Sequence, residues 1–473
     1  MSVAELSARH SAPRSQRLLC GWGRTARSSC RVFEVRHAED VLEVLAGERL
    51  PGAGVIARGA GRSYGDAAQN GGGDVLDMTK CAQIISIDIE RMLVRAEAGA
   101  TIAQLMARLA APGLGLPVLP GTRHVTLAGA IASDIHGKNH HRDGAFARHV
   151  VSLKLCTPSA GLLEISPESD PELFYATLGG MGLTGIILEA TLKVERLPSP
   201  WVSTDSDRTA GLAETLELLS GEERHRYSVA WLDLLAPGPS MGRAIISRAD
   251  PLESAQAAPR LRRRARAASD SASLTRAPRV VVPQGLPDML HPLSVRAFNA
   301  LRWRAAPRRE RGRPQALAPY FFPLDALGEW NRLYGPRGLI QYQLVIPAGQ
   351  ESALEAVFAL VQRRRVPVYL AVFKRFGAAF GGPLSFPLEG WTLALDIPAA
   401  APGLEAALEE LDQLVAGCGG RVYLTKDARL RRELLEAMYP QLDCFASVCE
   451  RVDPEGVLRS DLSRRLGLGG AAR

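Results

Sequence analysis

Several large classes of protein are closed to this chain by what it lacks. Its seven cysteines, Cys20, Cys30, Cys81, Cys156, Cys418, Cys444 and Cys449, are odd in number, scattered and never arranged as CxxC. Neither a disulfide framework nor a zinc knuckle is indicated, and a reducing compartment fits. No run approaches the ~18 apolar residues that a membrane span needs. The N-terminal stretch MSVAELSARHSAPRSQRLLCGWGRTARSS carries basic residues without the apolar core of a signal peptide or the adjacent arginines of twin-arginine export. A cytoplasmic protein is therefore expected. There is no internal repeat, and basicity spread along the chain is missing too. The net charge is +7, yet residues 260–313 hold 14 Arg against Asp270, Asp288 and Glu310, so this segment is +11 and the remainder is −4. Nucleic-acid binding is disfavoured, because aromatic interleaving in that segment is limited to Phe298 and Trp303.

What is present is a globular composition over 473 residues, enough for two or three domains. AGVIA (53–57), QIISIDIE and MLVRA (92–96) are expected as strands. Ile102, Leu105, Met106 and Leu109 fall at helical spacing over Thr101–Ala110, and Pro112 with Gly113 ends that helix. VVSLKLCT and GLLEI form an expected hairpin, DPELFYATLGG opens on an Asp cap, and GIILEATLKVE alternates as a strand. This first α+β lobe ends near Leu197. A second lobe starts at Trp201 with WVSTD, a helix through Leu212–Leu219, and the strands RYSVAWLDL and RAIIS. Residues 249–317 interrupt it as an Arg-rich stretch expected to be mobile, with a short helix near Val295–Trp303. Regular pattern resumes with YFFPL, LIQYQLVI, a helix carrying Leu354, Val357, Phe358 and Val361, then PVYLAVFK and WTLALDI. The helix of Leu404, Leu408, Leu411 and Leu414 stops at the Gly417–Gly420 cluster. RVYLTKD is expected as a last strand before helical tail segments.

Two stretches concentrate chemistry. RGAGRSYGD (58–66) follows a strand, and its glycines at 59, 61 and 65 let successive N–H groups face one anion that Arg58 or Arg62 can neutralise. It is no dinucleotide fingerprint, because Tyr64 stands where the last glycine is needed. An ordinary tight turn remains the plain alternative. GMGLTG (180–185) is a full G-x-G-x-x-G, but it follows a helix and precedes a strand, the reverse of the required order. The second dense stretch is PGTRHVTLAGAIASDIHGKNHH (120–141). Five of the nine histidines, His124, His136, His140, His141 and His149, fall within 26 residues there. Metal ligation by His136 and His140 would need a helix to converge them, and Gly137 and Asn139 lie between. A hydrogen-bonded structural cluster and an organic-cofactor or anion site stay open.

Taken together, RGAGRSYGD and AIASDIHGKNHH, with GWGRTA, LPVLPGTRHVT, DPELFYATLGGMGLTGII, GEWNRLYGP, QYQLVIP, VFKRFG, PLSFP, YLTKD and VDPEGVLRSDLSRRL, resemble the flavin oxidases with the vanillyl-alcohol-oxidase (PCMH-type) fold. The resemblance covers nearly the whole chain except the Arg-rich segment, and it is strongest to the decaprenylphosphoryl-β-D-ribose 2-oxidase branch. It implies an α+β protein: a two-subdomain PCMH-type FAD-binding domain (1–197), a substrate or cap domain with an antiparallel sheet flanked by helices (198–418, with 249–317 inserted), and a C-terminal segment (419–473) returning to the FAD domain. FAD would lie between the subdomains, with Ala57, Arg58, Gly59, Ala60, Gly61, Arg62, Ser63, Tyr64 and Gly65 around its pyrophosphate. Gly121, Thr122, Thr126, Leu127, Ala128 and Gly129 would flank it; Ser133, His136, Gly137 and Asn139 would approach the isoalloxazine, with Gly185, Ile187 and Tyr423 as further contacts. No histidine or cysteine stands where some relatives attach the flavin, so non-covalent FAD is expected.

The resemblance further implies hydride transfer from C2 of a polyprenyl-phosphoryl pentose to flavin N5, the first half of a ribose-to-arabinose epimerisation in cell-wall arabinan biosynthesis. A separate NAD(P)H-dependent keto-reductase would complete it. Lys138, Tyr320, Gln341, Gln343 and Lys374 are the expected substrate contacts. Lys426 is the expected base, since a desolvated lysine beside other cations has a lowered pKa; Tyr64 and His136 are the other candidates for proton transfer. Ala394 stands where well-known members carry a cysteine, an inhibitor target that turnover does not use. An oxidase of free alditols or aldonolactones is the alternative reading. From other classes, a histidine-based metal- or anion-binding protein and a surface-binding module built on the Arg-rich segment compete. That segment could also rest on anionic lipid at the inner face of the plasma membrane.

Overall fold

The computed structural model describes residues 14–47, 52–221, 224–253, 278 and 280–470. Two sheets build the first lobe. In the smaller, the strands run in the order Arg14–Cys20, Arg27–Glu34, Asp74–Asp77, Val55–Arg58; the first pair is antiparallel and the others are parallel. The larger is antiparallel, in the order Ile84–Asp88, Leu93–Glu97, Ile186–Lys193, Val150–Thr157, Gly161–Ile165.

Local chemistry sets the helices between them. Thr101 caps Ile102–Ala110, its hydroxyl accepting from Gln104 N at 3.2 Å while Gln104 Oε1 accepts from Thr101 N at 2.8 Å. Asp170 accepts from Leu173 N at 3.0 Å and Pro171 sits at the first position of Pro171–Thr177. The buried face Ile102, Leu105, Met106, Leu109 joins the core with Leu153, Leu155 and Leu192.

The second lobe is one eight-stranded sheet in the order Arg309–Ala316, Trp201–Arg208, Arg243–Pro251, Tyr227–Asp233, Leu370–Phe376, Gly390–Pro398, Leu339–Pro347, Arg421–Val422. Helices Glu351–Arg363 and Leu404–Gly417 cover one face, where Tyr342 donates to Asp412 at 2.9 Å. The alternate residues face the first lobe. The chain end returns to that lobe: Val55 N donates to Val457 O at 2.7 Å, and Arg465 reaches both Asp66 at 2.8 Å and Asp427 at 2.9 Å.

Three expectations need correction. The mobile excursion over 249–317 does not hold for residues 280–316, which contain the strand Val280–Val281, a helix Pro292–Ala305 and the edge strand Arg309–Ala316; residues 254–277 lie outside the described ones. The short helix expected near Val295–Trp303 is present and runs longer, over Pro292–Ala305, with Asn299 on its buried face and Leu293 and Leu301 pointing outward. The edge strand escapes pattern reading because Arg309, Arg311, Arg313 and Pro314 suit a solvated sheet margin. YFFPL belongs to the helical turns Leu317–Phe321 and Pro323–Ala326, and RVYLTKD pairs only through Arg421–Val422 before turning.

Candidate active site

A cavity of about 530 Å³ opens between the two sheets of the first lobe and the free face of the large sheet, and all three contribute walls. Its floor begins with the loop after strand Val55–Arg58. Arg58 anchors that loop by donating to Cys20 O and Ala68 O, both at 2.8 Å. Trp22 N donates to Ser63 O at 2.7 Å and Tyr64 N to Thr425 O at 3.0 Å, so the loop is pinned at two places. Among the described residues none accepts from the backbone N–H of Ala60, Gly61, Arg62 or Ser63. Four consecutive donors therefore remain for an anionic ligand. The Arg62 Nε is also buried without a partner, while its guanidinium lies 4.0 Å over the Trp22 ring. A Cβ on Gly59 would stand 2.0 Å from Thr126 Oγ1, which shows how closely the second wall approaches.

That second wall is Pro120–His136, with the six-residue helix Leu127–Ala132 capped by Thr126. Gly121 lines the cavity, and a Cβ built on it meets nothing within 4 Å. Ala57, Met78, Ala132, Ile135, Met181 and Ile187 supply apolar surface. Free donors, an orphaned guanidinium nitrogen and flat apolar walls together fit a dinucleotide with a planar ring system.

The third wall comes from pleating. Gln341 and Gln343, Leu370, Val372 and Lys374, and Ala394 alternate onto the cavity side of three adjacent strands. Their register gives rows: Leu370–Asp396–Gln341, then Val372–Ala394–Gln343, then Lys374–Thr392. Polar groups converge here. Lys374 Nζ is 3.2 Å from His136 Nδ1, and the Gln343 amide nitrogen is 2.9 Å from His136 Nε2. Lys426, on the turn after Tyr423, places Nζ 4.0 Å over the Tyr64 ring. Gln341 donates to Asp396 Oδ1 at 2.5 Å, and Asp396 Oδ2 is buried without a partner.

Desolvation dominates the ionisation here. It lowers Lys374 to about 7, reinforced by Lys426, and lowers Lys426 itself to about 8, where Asp396 pulls the other way. It raises Asp396 to about 6, against the Gln341 hydrogen bond and the Lys426 charge. His136 is pushed well below the ordinary imidazole value by burial and then by Lys374, so it is neutral. Tyr64 is pushed well above the phenol value by burial and then by Asp396, so it keeps its proton. The chain has only six lysines, and Lys138, Lys374 and Lys426 meet in this region.

Most residues singled out from the sequence line the cavity: Ala57, Gly59–Tyr64, Gly121, Thr122, Thr126, Ala128, Gly129, Ser133, His136, Gly185, Ile187, Gln341, Gln343, Lys374, Tyr423 and Lys426. Seven do not, each for a structural reason. Arg58 spends its guanidinium on the two carbonyls. Gly65 is jammed against the Asp427 carbonyl, 1.5 Å from where a Cβ would lie. Leu127 is fully buried core, and Gly137 packs on Leu119 O. Asn139 donates to Pro117 O and Asp143. Lys138 and Tyr320 serve each other, the Lys138 ammonium bonding the Tyr320 carbonyl and lying 4.0 Å over its ring. Burial lowers Lys138 to about 7. The remaining histidines disperse: His140 accepts from Gly377 N at 3.2 Å, while His141 and His149 bond the carbonyls of His225 and Asp143. Among the described residues no group of three metal-ligating side chains comes together.

Sequence reading missed Trp22, His124, Asp325, Glu329 and Trp330 at the mouth, and Asp396 beside Lys426. The signal for Asp396 was there: in GWTLALDIP, Thr392, Ala394 and Asp396 are the small or polar alternates of an otherwise apolar strand.

Comparison with known proteins agrees with this geometry. A family model described as an FAD binding domain matches residues 30–166. Decaprenylphosphoryl-β-D-ribose oxidase of Mycolicibacterium smegmatis is 40% identical over 460 residues, covering 96% of this chain and 98% of that one. A Streptomyces coelicolor chain known as the uncharacterized protein in the mprA 5′ region is 41% identical over 369 residues, 77% of this chain and 99% of its own. L-gulono-1,4-lactone dehydrogenase of Mycobacterium tuberculosis is 26% identical over 436 residues, covering 90% and 93%.

Proposed function

The chain belongs to the family of FAD-dependent oxidases that contains decaprenylphosphoryl-β-D-ribose oxidase, and from that premise we propose that it oxidises the C2 hydroxyl of a polyprenyl-phosphoryl pentose. It is an FAD-dependent oxidoreductase. The observation that carries the substrate class is the pair of buried lysines that line the cavity, Lys374 at His136 and Lys426 over the Tyr64 ring, amines able to bond the oxygens of a phosphorylated sugar. FAD, when bound, would supply the two-electron acceptor for the carbinol hydride.

The chain's own residues do the rest. Ala60–Ser63 offer backbone N–H groups to the pyrophosphate, and Gly121 leaves room for the cofactor. We assign Lys426 as the base: with its pKa near 8 a useful fraction is neutral at physiological pH, and Nζ can take the hydroxyl proton as the C–H bond breaks and the carbonyl forms. Tyr64 remains a phenol able to donate to the sugar, and Gln341 and Gln343 orient its other hydroxyls from the facing rows. Ala394 leaves that part of the wall apolar and without a thiol.

In this reading residues 1–197 and 419–473 form the cofactor domain and 198–418 the cap. In this reading FAD is held non-covalently: the glycine loop, where some relatives attach the flavin through a histidine, offers Arg62 and Ser63, and no cysteine lines the cavity among the described residues. The keto product would pass to a separate reductase. The lipid carried by the substrate places the enzyme at a membrane surface, although no helix among the described residues is long and apolar enough to cross one. Anaerobic titration tests the proposal: bleaching of the flavin band by a polyprenyl-phosphoryl ribose is expected. Bleaching by an alditol or L-gulonolactone alone would transfer the assignment to the lactone-oxidase class.

A further inference from the structure

Among the described residues, exposed large apolar side chains concentrate in a stretch that also reaches the cavity lining. Among the described residues twelve large hydrophobic side chains are exposed, and seven of them fall between residues 280 and 324. Monomeric soluble surfaces scatter such side chains singly, so a concentration of this kind calls for an occupant.

The helix Pro292–Ala305 carries the centre of it. Val295, Asn299 and Trp303 form its inner face: Asn299 donates to Asp233 at 3.2 Å, and the Trp303 indole donates to Thr209 O at 2.9 Å between the guanidinium groups of Arg208 and Arg243. Val295 packs in one cluster with Tyr64 and Tyr334, which ties the helix to the cavity wall. The outer face is the apolar one. Leu293, Ala297 and Leu301 follow at i, i+4 and i+8 with Phe298 alongside, and Leu293, Phe298 and Leu301 are 68%, 61% and 67% exposed.

Charge decides among occupants. Residues 289–309 hold five arginines and no carboxylate, with Arg296 and Arg304 exposed on the helix itself. An apolar stripe edged by arginines suits the boundary between headgroups and acyl chains of an anionic bilayer. Two of the seven, Val281 and Leu324, are both exposed and part of the cavity lining.

We infer that the outer face of Pro292–Ala305, extended by Val280–Val281 and Met289, is the surface on which this enzyme rests on an anionic bilayer, with the cavity mouth turned toward the lipid. The inference deepens the lipid-linked substrate reading and rests on it for its purpose, but the docking is measurable without substrate.

The test is co-sedimentation of the FAD-loaded full chain with phosphatidylcholine vesicles, with and without phosphatidylglycerol. Binding to the anionic vesicles, reduced by salt, is expected. The triple variant Leu293→Gln/Phe298→Gln/Leu301→Gln should bind roughly tenfold more weakly, with an unchanged melting temperature and unchanged turnover of a short-chain soluble substrate. Wild-type binding by the triple variant, no binding by the parent chain, or self-association that the triple variant abolishes would each overturn the inference. Vesicle binding by a chain that oxidises only free alditols would leave the docking surface standing and remove the substrate reading instead.

Discussion

Lys374 Nζ lies 3.2 Å from Nδ1 of His136, and the rest of the hydrogen-bond chain decides which of the two carries the shared proton. Thr392 donates to Leu344 O at 2.9 Å, so its oxygen must accept, at 3.1 Å, from the Gln343 amide nitrogen. That nitrogen turns its second hydrogen to His136 Nε2, which makes Nε2 an acceptor and leaves the proton on Nδ1. Lys374 then accepts from it, as a neutral amine. Burial that lowers Lys374 to about 7 acts in the same direction.

Thr392→Val removes the acceptor that fixes the Gln343 amide. The amide can then rotate its carbonyl to His136 Nε2, reversing the tautomer and favouring a charged Lys374. The expected outcome is a fall in kcat of roughly fivefold, corresponding to about 1 kcal/mol for one buried hydrogen bond. Nitrogen-15 NMR of His136 should show the tautomer change. Thr392→Ser, which keeps the hydroxyl, should restore both; an unchanged tautomer in the valine variant would break the proposed chain.

Lys426→Met should lower kcat by about 10²–10⁴, the usual contribution of a positioned general base. The parent enzyme should show a kcat/KM that rises with pH along an acid limb centred near 8, the value to which burial lowers Lys426. The sign follows from the chemistry: the neutral amine is the active form, so rate is gained as pH climbs through that value. The methionine variant should lose the limb while retaining FAD, read from its visible spectrum.

Asp396→Asn separates the base from its neighbour. The Asp396 carboxylate favours protonated Lys426 and so raises its pKa against the effect of burial. Removing the negative charge lets the lysine pKa fall further, and the acid limb should move to lower pH. Lys426→Met combined with Asp396→Asn should show no limb to move. A shift to higher pH in the single variant would contradict the assigned pairing.

The cofactor walls were legible because their function requires unusual local sequence. Gly59, Gly61 and Gly121 permit close backbone approach, and a histidine-rich loop is rare enough to notice. Asp396 was hidden for the opposite reason: two of its neighbours, Leu395 and Ile397, serve the helix-covered side of the same strand, and the apolar run masks the alternation. The helix Pro292–Ala305 was legible only over Val295–Trp303, because its pattern is inverted, with a polar Asn299 inward and leucines outward. Arg58, Leu127 and Asn139 sit in the right motifs but hold the walls up from behind, a distinction that depends on side-chain direction and not on spacing.

Two glycines of the cavity wall should respond differently to the same added methyl group. A Cβ on Gly121 meets no protein atom within 4 Å, whereas one on Gly59 would stand 2.0 Å from Thr126 Oγ1 and 3.1 Å from its Cβ. Gly121→Ala should therefore leave the apoprotein melting temperature unchanged and weaken FAD binding about tenfold, because the methyl occupies cofactor space and not protein space. Gly59→Ala must displace Thr126, the cap of Leu127–Ala132, and should cost about 1–3 kcal/mol of stability as well as cofactor. Apoprotein melting and flavin reconstitution, measured on both variants, separate the two effects. Equal loss of stability in both would mean that the space before Gly121 is closed by protein, and the cavity would then be too short for the cofactor assigned to it.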